Sequence, residues 1–86
     1  MLIPYRKNRK WGFKNSQNQV IIPLEYEVVD PFYGSIARVK KDGKFGFIDQ
    51  NNNWVIPPKY DTTFVKFKGG FLGVEIDDYW GIIDFQ

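Results

Sequence analysis

The sequence predicts an all-β protein of tandem antiparallel β-meander or hairpin repeats, forming a small curved sheet, a barrel or a solenoid. Three observations carry this. First, an aromatic–glycine–apolar segment occurs three times: Lys10-Trp11-Gly12-Phe13, Lys44-Phe45-Gly46-Phe47-Ile48-Asp49 and Trp80-Gly81-Ile82-Ile83-Asp84. Gly12 to Gly46 spans 34 residues and Gly46 to Gly81 spans 35, the kind of period that marks stacked supersecondary units. Second, Val20-Ile21-Ile22-Pro23-Leu24-Glu25-Tyr26 is answered in the same register by Trp54-Val55-Ile56-Pro57-Pro58-Lys59-Tyr60. Third, the segments between these blocks have turn chemistry, and no stretch sustains a helical period with caps.

The elements follow in chain order. Leu2–Tyr5 is a short apolar strand, followed by the Trp11-Gly12-Phe13 strand. Asn15-Ser16-Gln17-Asn18 and Gln50-Asn51-Asn52-Asn53 are polar clusters that read as turns. Pro23 and Pro57-Pro58 are expected to close the strands before them, because proline lacks the ladder N–H. Asp42-Gly43 lies between Ile36–Lys41 and Lys44–Asp49, and Asp-Gly between apolar stretches signals a tight hairpin whose turn residues both need positive φ. Phe32–Val39 is matched more loosely by Phe67–Val74. Each repeat is then roughly three short strands in a meander. The frame is one domain, residues 1–86, with a partial repeat at 1–9, repeats at 10–43 and 44–78, and a partial repeat at 79–86.

Composition bounds the chemistry. An 86-residue chain needs large side chains to build a core, and 19% of this one is aromatic. There is no Cys and no His, which removes disulfides, thiolate ligands, the thiol nucleophile and the commonest general base. No catalytic residue and no cofactor is expected. No apolar run reaches membrane-spanning length and no signal-peptide core is visible, so the expected location is the cytoplasm. The net charge is only +2, but Arg6, Lys7, Arg9, Lys10 and Lys14 cluster early, while Glu75, Asp77, Asp78 and Asp84 cluster late. These read as two solvated faces, or as two ends that attract each other.

With the repeat established, the residues resemble a known family. Lys-Trp-Gly-Phe, a polar turn, Val-Ile-Pro-Pro-Lys-Tyr-Asp and then a Gly-Ala-Arg-Val-like strand look like the WG repeat found in many bacterial proteins. Lys44–Asp49 followed by Val55–Asp61 is the nearest copy, and the resemblance covers essentially the whole chain. It implies a β-rich repeat used for scaffolding or recognition, with no shared catalytic residues. Three departures stand out. Phe45 occupies the Trp position, Lys14-Asn15 replaces Ile-Asp, and the last repeat has no Val-Ile-Pro strand of its own. Leu2–Tyr5 is therefore a candidate to supply that strand beside Gly81–Phe85, within one molecule or between two; alternatively it completes the first repeat.

Candidate sites follow from these patterns. Trp11, Gly12, Pro23, Tyr26, Phe45, Gly46, Pro57, Tyr60, Trp80 and Gly81 are repeat-defining structural residues. Their glycines are expected to allow close approach by a neighbouring repeat, their aromatics to form core, and the Tyr26 and Tyr60 hydroxyls to stay in water. Asp77-Asp78 with Glu75 could hold a hard cation, but they occupy a hairpin-turn position, and no metal site is assigned. Phe64, Lys66, Phe67, Lys68 and Phe71 form a candidate partner surface, weighed against the reading that their aromatics are buried core. Arg6, Lys7, Arg9 and Lys10 form a candidate anion-binding cluster. The function expected is a non-catalytic protein-interaction or scaffold module, alone or self-associating by a strand edge or head to tail. The alternative is a module that binds a polyanion, either single-stranded nucleic acid or acidic glycan. Its one resemblance to nucleic-acid folds is Lys44-Phe45-Gly46-Phe47, a single copy of the repeat. No membrane partner is expected.

Overall fold

A computed structural model describes the backbone of residues 1–60, 63–68, 71–76 and 79–84, and side chains as far as Lys59 and at Tyr79. The chain is all-β, with no helix among the described residues, hence none long and apolar enough to cross a membrane. Among the described residues ten strands run in order: β1 Ile3–Lys7, β2 Lys10–Lys14, β3 Val20–Tyr26, β4 Val28–Val29, β5 Ile36–Lys41, β6 Lys44–Asp49, β7 Trp54–Tyr60, β8 Thr63–Lys68, β9 Phe71–Ile76 and β10 Tyr79–Asp84. They form three antiparallel sheets, β1-β2-β3, β4-β5-β6-β7 and β8-β9-β10, and none closes into a barrel.

Strand order explains the repeat differently from the sequence frame. The fullest sheet begins at Val28 and ends at Tyr60, so its aromatic–glycine strand, β6, lies inside it rather than at its start. Among the described residues the first sheet has no counterpart of β4, and the third has no counterpart of β7. Ile3–Lys7 pairs with β2 from Ile3↔Lys14 to Lys7↔Lys10. Within the molecule it thus completes the first sheet, and among the described residues it does not pair with β10.

The turns obey local chemistry. Asp42 and Gly43 have φ of 52° and 80°, the left-handed pair of a two-residue hairpin. Asn8 and Arg9, with φ of 53° and 68°, make the same turn between β1 and β2. The polar turns are two copies of one device. Asp49 Oδ1 accepts the N–H groups of Asn51 and Asn53, both at 2.9 Å, and Asn15 Oδ1 accepts those of Gln17 and Gln19 at 2.9 and 3.0 Å. Asn15 does what Asp49 does because either side chain offers the same acceptor oxygen. Asn18 and Asn52 take the left-handed position in each copy.

The prolines do not close their strands. Pro23 lies within β3, and Pro57 and Pro58 lie within β7. Each proline-bearing strand is the edge of its sheet, where a missing N–H is tolerated, and each bulges there. Trp11 faces Tyr26 and Phe13 faces Ile22, so three residues of β3 arch over Gly12 alone. Phe45↔Tyr60 and Phe47↔Ile56 repeat that geometry over Gly46. A Cβ on Gly12 would collide with the Ile22 and Pro23 carbonyls. One on Gly46 would lie 2.6 Å from the Ile56 oxygen and 2.8 Å from the Pro58 nitrogen. The glycine is therefore required by the next strand of its own sheet, not by a neighbouring repeat.

The first two sheets share a core. Phe13, Ile22 and Tyr26 of the first meet Ala37, Val39 and Ile48 of the second, all buried, with Leu2, Trp11, Val29 and Phe32 packed around them. Phe32 meets Phe13 edge to face, with ring centroids 4.8 Å apart. Ile48 faces the first sheet, whereas its counterpart Lys14 lies on the face of the first sheet turned away from this core. There the Lys14 ammonium sits 4.8 Å from the Tyr5 ring centre and donates to Asn18. A charge is tolerable at that position because no second layer covers it among the described residues, as at the ends of repeat arrays.

The Tyr26 hydroxyl is not in water. It donates to Asn52 Oδ1 at 2.5 Å, joining β3 to the turn before β7, and the residue is 1% exposed. Lys41 Nζ lies 3.7 Å from Glu25 Oε1 beside it. Burial, then the neighbouring Glu25 carboxylate, raises the Tyr26 pKa well above that of an ordinary phenol.

Two outcomes are expected. Gly46→Val should destabilise the fold by roughly 3 kcal/mol, measured by urea unfolding, because backbone rather than a flexible side-chain tip blocks the added atoms. The Tyr26 pKa is raised in the folded state, so its contribution is complete below about pH 10 and is lost as pH rises through the folded value. Melting temperature should accordingly fall more steeply above pH ~10 in the native protein than in Tyr26→Phe; parallel pH profiles would show that Tyr26 is not the group involved.

Candidate functional site

The basic cluster is assembled by one hairpin. Lys7 and Lys10 face each other across β1 and β2, and Arg9 occupies the turn between them. Arg6 faces Trp11 with its guanidinium 5.9 Å from the ring centre. All four basic side chains are exposed, and none takes part in an ion pair among the described residues. The hairpin therefore projects a positive tip.

The repeat-defining aromatics are placed by the arched strand. Trp11 is half-buried against the shared core and faces Tyr26. Phe45 faces Tyr60 and carries two cations over its ring, Arg38 at 5.0 Å and Lys40 at 5.5 Å. Arg38 is in turn held by Asp30, with Nε 2.9 Å from Oδ2. Asp30 also accepts a hydrogen bond from the Tyr33 hydroxyl, whose pKa is raised by burial first and then by that carboxylate. The Arg38–Asp30–Tyr33 group ties β5 to the connection before it. The side chains of Tyr60 and Trp80 lie outside the described residues.

A feature that sequence reasoning missed lies on the arched strands. Val20 is 52% exposed and Ile21 45%, while their counterparts Trp54 and Val55 are 38% and 44% exposed. The signal was present in the runs Val20-Ile21-Ile22 and Trp54-Val55-Ile56. Successive strand residues point to opposite faces, so three apolar residues in a row cannot all reach one core. Only Ile22 is fully buried. The same apolar pair is thus exposed on the edge strands of two successive sheets. The Tyr26 and Trp54 rings meet edge to face, centroids 6.1 Å apart, which links the end of β3 to the start of β7.

A cleft of about 390 Å³ is lined by Met1, Leu2, Ile3, Pro4, Phe32 and Gln50, among others. It is mainly apolar and half open, and no ionisable side chain lines it. Among the described residues no group of His, Cys, Asp or Glu could hold a metal ion. Asp77 and Asp78 lie outside the described residues, as does the Glu75 side chain. Phe64, Lys66, Phe67 and Lys68 fall on β8, and Phe71 opens β9 opposite Lys68. Their side chains also lie outside the described residues, so the proposed partner surface has a strand backbone but no described face.

Comparison with curated proteins and with solved structures returns no match to this chain. A family model does match: that of the WG containing repeat, over residues 11–45 and again over residues 45–80. Its two consecutive matches run from the Trp11 strand through Trp80 and take in both arched strands, β3 and β7. The chain belongs to the WG-repeat family.

Proposed function

We propose that this chain is a non-catalytic protein-interaction or scaffold module that self-associates through its exposed apolar strands. The observation that carries the reading is the repetition of Val20-Ile21 as Trp54-Val55, exposed at the same place on β3 and β7. Solvent-facing apolar pairs repeated along an array suit a partner with a matching period, and another copy of the array has that period. Proline within both strands blunts their ladder edges, which favours docking by side chains over pairing by backbone. The absence of His and Cys from the sequence supports a role without catalysis.

Sedimentation over a range of protein and salt concentration tests this. The expected result is a mass that grows with protein concentration, persists in high salt, and returns to monomer in Ile21→Ser/Val55→Ser with the strand content unchanged. A monomer at every concentration would overturn it.

The basic hairpin tip favours a second reading, polyanion binding. Binding of a single-stranded oligonucleotide would then weaken as salt rises, with a log–log slope of no more than about −3 for four basic groups. Neutralising Arg6, Lys7, Arg9 and Lys10 together should abolish it, and a slope near zero would count against it.

A further inference from the structure

The β1–β2 and β5–β6 hairpins are copies in one register, and the residues in which they differ point to a ligand. In β5–β6 the pairs Ala37↔Ile48, Val39↔Gly46 and Lys41↔Lys44 share a face, because alternate residues of a strand point the same way. On that face Ala37, Val39 and Ile48 are buried in the core shared with the first sheet. The matching pairs of β1–β2 are Ile3↔Lys14, Tyr5↔Gly12 and Lys7↔Lys10. Tyr5 therefore stands where Val39 does, and Lys14 where Ile48 does. At the turn, Asn8 stands for Asp42 and Arg9 for Gly43. The identity of the residues thus makes one face fit for packing and the other, with a phenol ring and three lysines, fit for a charged ligand.

The turn residues work against the folding of their own hairpin. Arg9 has a φ of 68°, a left-handed conformation that strains a residue with a side chain, whereas Gly43 takes the equivalent position freely at 80°. Lys7 and Lys10 stand directly opposite each other, a like-charge pair that destabilises a sheet, with a third cation in the turn between them. Residues 7–10 carry three positive charges and no acid, while residues 41–44 carry two lysines and Asp42. An anion bound at the first turn relieves this repulsion, so the residues that burden the free protein are the ones that gain from a ligand. The face also holds a ring. Tyr5 lies opposite Gly12, so no side chain faces it from β2, and the Lys14 ammonium is 4.8 Å from its ring centre. Lys10 and Lys14 are separated along β2 by about 14 Å, with Tyr5 beside the interval.

We infer that this face of β1–β2 is a binding site for single-stranded nucleic acid. Lys7, Arg9 and Lys10 take phosphates at the hairpin tip, Lys14 takes one further along β2, and Tyr5 stacks on a base between them. The inference rests on the polyanion reading and deepens it by committing to one class of polyanion. Positive charge alone would accept a single strand, a duplex or an acidic glycan equally. A ring set between two cationic ends selects unpaired bases: a duplex keeps its bases stacked on one another, and a glycan has none. Arginine at the tip suits a phosphodiester, because its planar fork donates two hydrogen bonds to one phosphate.

The test uses the full chain and a short fluorescent oligothymidylate, followed by anisotropy, with duplex DNA, heparin and an abasic strand of the same length as competitors. Saturable binding is expected, with each competitor weaker by at least about fivefold, the scale of one stacked base. Tyr5→Leu should weaken binding by a similar factor, and Tyr5→Phe, which keeps the ring, should not. Arg9→Gly should weaken binding while raising the melting temperature of the free protein, a pair of opposite changes that a merely structural residue does not give. Should Tyr5→Leu fail to fold, the abasic strand still decides, because it removes the bases and leaves the phosphates. Equal binding of the abasic strand, the duplex or heparin would overturn the inference and leave polyanion binding standing. Binding of none of these polyanions would overturn both.

Discussion

The close passage of a proline-bearing strand over a glycine is the constraint on which the rest of this structure depends. At Gly12 and Gly46 the arched strand comes within a contact that no side chain could survive. Proline makes the arch possible by removing a ladder donor where the register slips, and glycine makes room for it. The Tyr that ends the arch returns to register opposite the aromatic that precedes the glycine. The four residue types that define the repeat are therefore one mechanical unit. None can be exchanged without changing what the others must do.

That unit determines how sheets meet. Once β3 is arched, Ile22 and Tyr26 join Phe13 on the face that receives the second sheet. The chain then passes from one sheet to the next at Glu27, whose N–H already donates to the Lys40 carbonyl of the second sheet at 2.8 Å. A single residue is enough to change sheets, so adjacent sheets are held close and the core between them can be small. The Tyr26–Asn52 hydrogen bond crosses the same boundary. A buried hydroxyl without a partner would cost about 1–3 kcal/mol, so the turn that carries Asn52 is coupled to the packing of the sheet before it.

The same geometry separates two kinds of open edge. β3 and β7 end their sheets with proline in the strand and apolar side chains outside, a surface that discourages backbone pairing but can be covered. β10 lies at the end of its sheet among the described residues and contains no proline. The basic hairpin between β1 and β2 is a third surface, set apart from both by its charge. Lys14 is explained by its position too: it lies where an Ile would be buried only if another layer covered that face.

The sequence by itself determined the elements whose causes are local. The Asp42-Gly43 hairpin, the Asn-rich turns, the strand character of each block and the repeat itself all follow from the conformational limits of a few neighbouring residues. Those limits act within the segment and need no partner. Much of the rest depends on which surfaces meet. Pro23 and Pro57 could be read as strand ends because the sequence does not show that their strands lie at a sheet edge, where proline can remain inside. The role of Gly12 depended on its opposite strand, the burial of the Tyr26 hydroxyl on a turn 26 residues away, and the exposure of Val20 and Ile21 on which face of β3 the second sheet covers. An apolar residue in a strand states only that one face wants cover; the arrangement of sheets in space decides which face receives it, and that is why the candidate binding strands became visible only in the tertiary structure.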